Sequence, residues 1–591
     1  MKHHMLMAAG AVAALLVVSQ PSSAAPSPSE TADRDRVSSP HVLGMEDTRL
    51  YRQIFADEQA GHFPAARKLA TKLSDRSLIG YVEAERFLSP HARHVTLAQL
   101  TGWLANYDDL PIAERIRALA EKKNRRHKVA IATLPTMHRR GGGYEDFDLP
   151  EPPLASDAAR TAQLQIETSI HAGRPAEAEA VLQGLVAGDM ASSSDIARLS
   201  HRVAASYIAE SQDDAALRVT SSVTGSDRAA APLLDWDEGL AAYRLGKYDD
   251  AAQHFESLAQ VGSVPGYTRS AAAFWAARAH MQAGDPLRVV TLLTAATREQ
   301  PTFYGLLAER LLGQQTQGSF SDPVLDYENF AALMHVPAAH RAVALWQIGQ
   351  TEDIAGEMDR ALTAIDLRRG PAFAALARRL DLPNLELRAC ETAASRGLML
   401  TGLFPVPRYA PQGGYHIEPS LVLAFTRAES RFQADAVSGA GARGLMQIMP
   451  GTAAHMDGAV PSDKQLADPS YNLGLGQRYL KELLNQLNGN LIELAAAYNA
   501  GPGALTRWMG ARGAMLDDPL LFVESIPAAE TRNYVKRVLT YYWMYSRRSD
   551  EDAPSLDETA AGQWPKYHSS SAHVAAKETV PMVVSDAATP H

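Results

Sequence analysis

Apolar residues recur at three- and four-residue spacing from about residue 45 to residue 400, in a stretch rich in Ala, Leu and Arg. This spacing matches the turn of an α-helix and predicts helix throughout the stretch. A phrase recurs within it: an apolar helix, a glycine, and then an Ala-rich helix. The strongest copies are DWDEGLAAYRLGKYDDAAQHF at 235–255 and FWAARAHMQAGDPL at 274–287, and weaker copies lie at 54–70 and 169–182. Each glycine can end its first helix with a positive φ.

The repeated phrase has the length of a helical-hairpin repeat. Gly246 and Gly284 of the two strongest copies lie about 38 residues apart, within the usual range for such repeats. Hairpins of this kind cannot bury their apolar faces alone, so we expect them to stack into a curved solenoid. An irregular helical domain is the alternative that the pattern leaves open.

The pattern changes at residues 401–414 (TGLFPVPRYAPQGG), where three prolines and three glycines indicate a connector. The repeated phrase does not recur after this connector, and the density of glycines rises. Residues 25–44 are rich in Ser, Pro and Ala, and residues 549–591 are polar and poor in aromatic residues. These compositions predict a disordered segment at each end of the chain.

The first 24 residues have the pattern of a secretory signal peptide. Lys2 is followed by an apolar run from about Leu6 to Val18 and then by small residues that end at Ala25. We expect cleavage after residue 24, because Pro26 disfavours cleavage of the next bond. The apolar run is short for a transmembrane helix, although an uncleaved membrane anchor is the alternative. The sequence therefore predicts export to the periplasm.

The composition excludes several classes of function. The chain is 46% apolar and 21% charged with a net charge of −10, which argues against a general nucleic-acid binder. A single cysteine, Cys390, cannot form an internal disulfide or a cysteine-based zinc site. The common metalloprotease, phosphate-loop, dinucleotide and serine-hydrolase motifs do not occur in the sequence. We therefore expect no metal and no cofactor.

One carboxyl group lies on an apolar stripe after the connector. A Pro-Ser pair precedes LVLAFTRAESRF, and because serine is a good N-cap the pattern predicts a helix from about Leu421. Leu421, Phe425 and Glu429 recur at four-residue spacing, which puts them on one face. A desolvated carboxyl has a raised pKa and, when protonated, can donate its proton to a leaving oxygen. The alternative is an exposed glutamate paired with Arg427 or Arg431.

Two further segments carry polar groups suited to a binding cleft. Residues 438–453 (SGAGARGLMQIMPGTA) combine glycines, which allow a close backbone approach to a ligand, with Gln447, which can donate and accept hydrogen bonds. Residues 495–503 (AAAYNAGPG) predict a helix that ends at Tyr498 and Asn499. Each segment alone is weak, but their combination and order are specific.

A last segment completes a recognisable series. Residues 522–538 (FVESIPAAETRNYVKRV) place an Ile-Pro pair before a helix that carries Glu530 and Tyr534. With the three preceding segments, it closely resembles the catalytic domain of soluble lytic transglycosylases over residues 415–548. The helical array, including TFYGLLAER at 302–310, more loosely resembles the α-superhelical domain of that family.

This resemblance implies a mainly α fold: a U-shaped α-superhelix of TPR-like hairpins, a small helical linker domain and a lysozyme-like α+β catalytic domain. The expected division of the chain is a signal peptide at 1–24, a disordered spacer at 25–44, the solenoid at 45–365, the linker domain at 366–402, the catalytic domain at 403–548 and a disordered tail at 549–591.

The resemblance also implies roles for individual residues. Glu429 matches the single catalytic acid/base of the family, which cleaves the β-1,4 bond between N-acetylmuramic acid and N-acetylglucosamine and closes the muramoyl C6 hydroxyl on C1. Tyr498 is expected to hydrogen-bond near this carboxyl. Ala528 departs from the aromatic residue that the family often has there, which changes one cleft wall. The residues expected to support catalysis are Ser438, Tyr498 and Glu530, and those expected to bind substrate are Gln447, Met449 and Asn499.

Two other functions remain open from the sequence. A muramidase would use the same acid with water as the acceptor. A noncatalytic helical-repeat scaffold would need neither the acid nor the water molecule. Two-carboxylate glycosidases need a second Asp or Glu, and nothing in the pattern marks Asp435, the nearest in sequence, as that partner. We expect a monomer that binds peptidoglycan glycan strands, with the solenoid available to other cell-envelope proteins.

Overall fold

The structure is a computed structural model that describes residues 37, 39–92, 94–124, 153–298, 301–314, 320–511 and 517–569. The predicted signal peptide lies outside the described residues. Within the described ranges, no helix has both the length and the apolarity needed to cross a membrane.

Helices account for nearly all of the regular structure in these ranges. The first fourteen are α1 (Met45–Gln59), α2 (Phe63–Ala70), α3 (Ile79–Leu88), α4 (Leu97–Tyr107), α5 (Ala113–Asn124), α6 (Asp157–His171), α7 (Pro175–Ala187), α8 (Ser193–Ala209), α9 (Asp213–Ser221), α10 (Leu233–Arg244), α11 (Tyr248–Ala259), α12 (Gly266–Ala283), α13 (Val289–Ala296) and α14 (Phe303–Leu311). The next five are α15 (Tyr327–Met334), α16 (Pro337–Ile348), α17 (Ile354–Ala364), α18 (Gly370–Arg379) and α19 (Pro383–Ala394). The last nine are α20 (Pro419–Ser430), α21 (Pro450–Asp457), α22 (Asp463–Leu466), α23 (Pro469–Gln486), α24 (Leu491–Ala500), α25 (Pro502–Ala511), α26 (Pro519–Glu524), α27 (Ala529–Arg548) and α28 (Pro554–Ala560). Short 3-10 helices lie at Gly225–Ala230, Pro286–Arg288, Leu367–Arg369 and Thr401–Leu403.

The repeated phrase forms helical hairpins that pack on their neighbours. Helices α10, α11, α12 and α13 each pack on the next, and Phe255 and Trp275 are fully buried between them. The glycines that separate the paired helices, Gly246 and Gly284, have φ values of 75° and 81°. Positive φ is the conformation that glycine adopts without strain, so these two positions end their helices as the sequence predicts. The mainly α class is confirmed.

The beginning of the helical array packs against its end. Helix α1 contacts α16, and the Gln347 side chain accepts hydrogen bonds from the backbone N–H groups of Val42 and Leu43, both at 3.0 Å. Nearby, the buried Glu357 carboxylate accepts hydrogen bonds from the Tyr81 hydroxyl at 2.7 Å and from Arg341 Nε at 2.6 Å. The hydrogen bonds of Gln347 with Leu43 and of Glu357 with Tyr81 join residues that are 304 and 276 positions apart in the chain.

The predicted spacer is ordered over its last residues, which corrects the sequence interpretation. Val37 donates a backbone hydrogen bond to Leu325 at 2.9 Å, and Val37 and Leu43 are buried. The average composition of residues 25–44 is rich in Ser and Pro and does not reveal these two apolar side chains, which pack into the core.

The linker helices α18 and α19 pack together, and helix α20 lies between α27 and α23 in the C-terminal domain. The β part expected of this domain consists, among the described residues, of isolated antiparallel bridges of Arg443 with Val437 and Ile448.

The start of α20 differs from the sequence interpretation. The helix begins at Pro419, and Ser420 makes no cap: its hydroxyl donates to Glu551 at 2.8 Å. Proline fits the first helical position because an N–H there would have no helical partner. The proline therefore takes the first position and moves the serine inside the helix.

The predicted disordered tail is also partly wrong. Residues 549–569 include helix α28, which packs on α14, and Tyr567 donates a backbone hydrogen bond to Gly489 at 2.8 Å. The Trp564 ring lies 5.3 Å from the Phe522 ring. Trp564 and Tyr567 pack against the core and give the segment an apolar surface, although its average composition is polar. Residues 570–591 lie outside the described residues.

Candidate active site

Glu429 lies in the last turn of α20, on the stripe that the sequence predicts. Leu421 and Phe425, two turns and one turn before it, are fully buried, and Glu429 itself is half-buried. The apolar stripe thus continues into a carboxyl group at the point where the helix meets the surface.

The Glu429 carboxyl has a hydrogen-bond partner in a buried tyrosine. The Tyr534 hydroxyl, on α27, donates to Glu429 Oε1 at 2.5 Å. The Phe425 ring centroid lies 4.8 Å from that of Tyr498 and 6.2 Å from that of Tyr534. Three aromatic rings therefore surround the carboxyl end of the stripe.

These surroundings raise the pKa of Glu429 to about 7, from an ordinary value of 4.5. The largest cause is burial, which disfavours the ionised form. The Tyr534 hydrogen bond and the charge of Arg537 lower the pKa, whereas the charge of Glu530 raises it. The net effect is a carboxyl that keeps its proton close to neutral pH.

Neither neighbouring arginine pairs with Glu429 as the alternative interpretation supposed. The guanidinium of Arg427 lies over the rings of Phe404 and Tyr541, at 4.4 Å and 3.9 Å from their centroids. Arg431 forms an ion pair with Glu391 of the linker helix α19. The exposed-pair interpretation of Glu429 is therefore wrong.

The backbone turns sharply directly after the glutamate. Arg431 and Phe432 have φ values of 53° and 65°. This left-handed region costs a residue other than glycine about 1–2 kcal/mol, and such conformations persist only where their surroundings hold them. Asn384 Nδ2 donates to the Arg431 carbonyl at 2.7 Å, so α19 contacts both the main chain and the side chain of this corner.

The glycine-rich loop holds itself together through its own polar groups. Gln447, with a φ of 45°, donates from Nε2 to the carbonyls of Ala436 at 3.1 Å and Gly444 at 2.9 Å. The Ser438 hydroxyl accepts from the Ala442 N–H at 2.9 Å. The Gln447 amide hydrogens therefore stabilise the loop, which differs from the expectation that they face a ligand.

Gly444 permits a close approach within the protein. An added Cβ there would lie 2.2 Å from both Asn472 Nδ2 and the Leu466 carbonyl oxygen. The loop sequence predicts glycines that approach a ligand, but at Gly444 the closely packed neighbours are the protein's own groups.

Tyr498 and Asn499 lie at the end of α24. The Tyr498 hydroxyl donates to the Met446 carbonyl at 2.8 Å, and the charge of Glu429 contributes to raising the pKa of Tyr498. Tyr498 is thus close to Glu429, although the hydrogen bond to the carboxyl comes from Tyr534. Asn499 Oδ1 accepts from the Thr531 hydroxyl at 2.6 Å.

The remaining predicted residues lie towards the surface. Met449 is 42% exposed just before α21, Glu530 is exposed in the first turn of α27, and Ser438 and Ala528 are half-buried. The structure brings Tyr498 and Glu530 into electrostatic reach of Glu429, and the roles assigned to all these residues remain predictions.

Tyr534 and Arg537 are not among the site residues predicted from the sequence, although both act on Glu429. Glu530, Tyr534 and Arg537 are spaced i, i+4 and i+7 along α27, so they share one helix face, and all three act on the pKa of Glu429. That spacing was the signal that could have found them. No comparable signal marks Glu391 or Asn384, which lie on a helix before the connector.

The described residues contain no group of three or more His, Cys, Asp or Glu side chains placed to hold a metal ion.

Comparison with known proteins places this site in a family. The family model "Transglycosylase SLT domain" matches residues 409–520. The chain is 43% identical over 156 residues to the soluble lytic murein transglycosylase of Escherichia coli K12, a match that covers 26% of this chain and 24% of the relative. It is 44% identical over 133 residues to the protein of the same name from Salmonella typhimurium, covering 22% of this chain and 20% of the relative. The chain thus spans about a quarter of the length of these curated relatives.

The fold has a solved counterpart. The lytic transglycosylase Slt of Pseudomonas aeruginosa, solved as an inactive mutant, aligns with a TM-score of 0.54 and 22% identity over 86% of this chain and 74% of that structure. The likeness at this identity concerns the fold alone. The family model and the curated relatives show that this part of the chain is similar to the transglycosylase SLT domain of soluble lytic murein transglycosylases.

Proposed function

We propose that the protein is a lytic transglycosylase that cleaves the β-1,4 bond between N-acetylmuramic acid and N-acetylglucosamine in peptidoglycan. The observation that carries this proposal is the half-buried Glu429 carboxyl, whose pKa of about 7 keeps a proton available near neutral pH. The curated relatives, which share the sequence of this domain, are named soluble lytic murein transglycosylases.

The reaction needs one carboxyl in two successive roles. Protonated Glu429 donates its proton to the glycosidic oxygen as the C1–O bond breaks, and N-acetylglucosamine leaves as the alcohol. The resulting carboxylate then accepts the proton of the muramoyl C6 hydroxyl while the C6 oxygen bonds to C1. The product is a 1,6-anhydromuramoyl end, no water is consumed, and Glu429 returns to its protonated state.

Tyr534 holds the acid in place during both steps. Its hydroxyl is fixed by burial and donates to one carboxyl oxygen, which leaves the other oxygen, Oε2, for the substrate. We propose that the polar groups of Tyr498, Asn499, Gln447 and Ser438, together with Met449, line the sugar cleft around this oxygen. Positioning of this kind supplies much of the rate enhancement that acid catalysis alone does not.

Glu530 supports a second candidate function. It is an exposed carboxylate close enough for its charge to raise the pKa of Glu429. A second carboxylate near the acid is what a hydrolytic muramidase needs to activate a water molecule. On the lytic mechanism Glu530 has no proton to transfer, so Glu530→Gln should leave the product unchanged.

Digestion of isolated sacculi by the purified protein distinguishes these functions. Mass spectrometry of the released muropeptides should show 1,6-anhydro ends, each lighter by one water molecule than a reducing end. Reducing ends that disappear in Glu530→Gln would establish the muramidase. No release of any muropeptide by the intact protein would favour a noncatalytic scaffold.

The acid itself is tested by a pair of matched variants. Glu429→Gln removes the proton donor, so release of muropeptides should fall at least 100-fold. Asp435→Asn is the control, since this exposed acid is the nearest in sequence and should keep wild-type activity. Activity retained in Glu429→Gln would refute the assignment.

The predicted signal peptide places the protein in the periplasm, with peptidoglycan as its substrate. We propose that the mature protein is a monomer, with the helical array free to contact other cell-envelope proteins. Cell fractionation, together with the N-terminal sequence of the mature protein, tests both the export and the cleavage after residue 24.

A further inference from the structure

We infer that Glu391 and Asn384 of the linker helix α19 are positioning residues for Glu429. Both contact Arg431, which lies two residues after the glutamate at the corner where α20 ends. The inference rests on the proposed role of Glu429 as the acid, and it adds a dependence of that role on a different domain.

The two contacts come from one face of α19. Asn384 and Glu391 are spaced i and i+7, or about two helical turns, so their side chains project in the same direction. Glu391, which is 3% exposed, forms an ion pair with the Arg431 guanidinium. Asn384 Nδ2 donates to the Arg431 carbonyl at 2.7 Å. The helix thus holds both the side chain and the main chain of one residue.

The corner has a conformation that needs such support. Arg431 and Phe432 are consecutive residues with positive φ, and neither is a glycine. Buried Phe432 anchors the far side of the corner, and Arg431 N–H bonds to the Arg427 carbonyl at 3.1 Å on the near side. The linker helix supplies the third point of attachment.

The position of the Glu429 carboxyl depends on this corner. Glu429 is in the last helical turn, where carbonyl groups lack helical partners and the backbone is least constrained. Within the part of the chain that the structure describes, its carboxyl accepts one hydrogen bond, from the Tyr534 hydroxyl. If the corner moves, the carboxyl moves relative to that hydroxyl and to the bound sugar, and a displacement of about 1 Å can lower the rate about 100-fold.

The contact also joins two parts of the chain that the family model separates. Residues 384 and 391 precede the matched range 409–520, so the acid is held in part from outside the SLT domain. The arrangement predicts that changes in the linker helix alter turnover without altering any group that touches substrate.

The test uses Glu391→Gln and Asn384→Ala in the full-length protein, with kcat, KM and the pH profile measured on a soluble glycan substrate. We expect kcat to fall about 10- to 100-fold in Glu391→Gln and less in Asn384→Ala, with KM within about twofold of the wild type. The high-pH fall in rate should move to lower pH, because a carboxyl that regains water has a lower pKa. Arg431→Lys, which keeps the charge, should retain more activity than Glu391→Gln.

A matched control separates positioning from general weakening of the linker domain. Asp359→Asn removes another ion pair of α19, the one that Arg388 forms with Asp359 of α17. It should leave kcat and the pH profile unchanged. Thermal denaturation of every variant shows whether the protein is folded. If Glu391→Gln does not fold, the test relies on Asn384→Ala, because Asn384 is half-exposed.

The outcomes distinguish this inference from the proposed function. Wild-type kcat and pH profile in folded Glu391→Gln and Asn384→Ala, with Glu429→Gln inactive, would overturn the inference alone. An equal loss of kcat in Asp359→Asn would also overturn it, since the effect would then not depend on Arg431. Full activity in Glu429→Gln would overturn the proposed function itself.

Discussion

Replacing Glu429 by glutamine should stabilise the protein at alkaline pH and leave it nearly unchanged at acidic pH. The wild-type carboxyl has a pKa of about 7 in the folded state, against an ordinary value of 4.5. Ionisation of Glu429 is therefore less favourable in the folded protein than in the unfolded chain. Glutamine is neutral at every pH and nearly the same size, so it does not have this cost.

The magnitude follows from this difference in pKa. A difference of one pKa unit corresponds to about 1.4 kcal/mol, so ionising the carboxyl in the folded protein costs about 3 kcal/mol more than in the unfolded chain. Because Glu429 keeps some contact with water, we expect about 2 kcal/mol in practice. Below pH 4.5 the group is protonated in both states and contributes nothing. The contribution of Glu429 to the stability of the wild type should therefore fall between pH 4.5 and about 7 and then remain constant.

The assay is urea denaturation of wild type and Glu429→Gln at pH 4.5, 6 and 8, followed by tryptophan fluorescence. The free-energy difference between the two proteins should change by about 2 kcal/mol from pH 4.5 to pH 8, in favour of glutamine. Any change in the contact with Tyr534 is present at all three pH values and cancels in this comparison. A difference that does not vary with pH would refute the claim that the carboxyl is desolvated.

Three further changes test other parts of the structure. Tyr534→Phe removes a hydrogen bond that lowers the pKa of Glu429, so the fall in rate at high pH should move to higher pH, while kcat falls about tenfold. An unchanged pH profile would show that the hydroxyl does not affect the pKa of Glu429. Gly444→Ala puts a Cβ 2.2 Å from two neighbours at a positive φ and should destabilise by about 3 kcal/mol or more in thermal denaturation. Gly439→Ala, in open space, should cost less than about 0.5 kcal/mol, and equal losses would contradict the packing argument. Arg341→Ala leaves the buried Glu357 carboxylate without its ion pair and should cost about 3–5 kcal/mol, whereas a loss below about 1 kcal/mol would mean that this carboxylate does not depend on the arginine.

Much of the candidate site followed from local patterns in the sequence. The stripe of Leu421, Phe425 and Glu429 is a property of one helix, and its apolar members are buried as predicted. The glycines at 246 and 284 end their helices for a reason that depends only on the adjacent backbone. Such features are readable because the residues that cause them lie within a turn or two of each other.

The errors arose where composition was averaged over a segment. Val37, Leu43 and Trp564 are single apolar side chains in stretches that are otherwise polar, and each packs against a distant part of the chain. Whether one such residue orders its segment depends on whether a complementary surface is available. An average over twenty or forty residues does not contain that information.

The sequence by itself determined the helical class, the hairpin repeats and the apolar stripe that ends at Glu429, because periodicity reports which face of each helix is apolar. The tertiary structure alone decided what meets that face. The tyrosine that bonds to Glu429 lies 105 residues away in the chain, and the carboxylate that pairs with Arg431 lies 40 residues before it, on the other side of the connector. The pKa of the acid depends on these neighbours and on the water they exclude, and only the packing of distant helices brings them together.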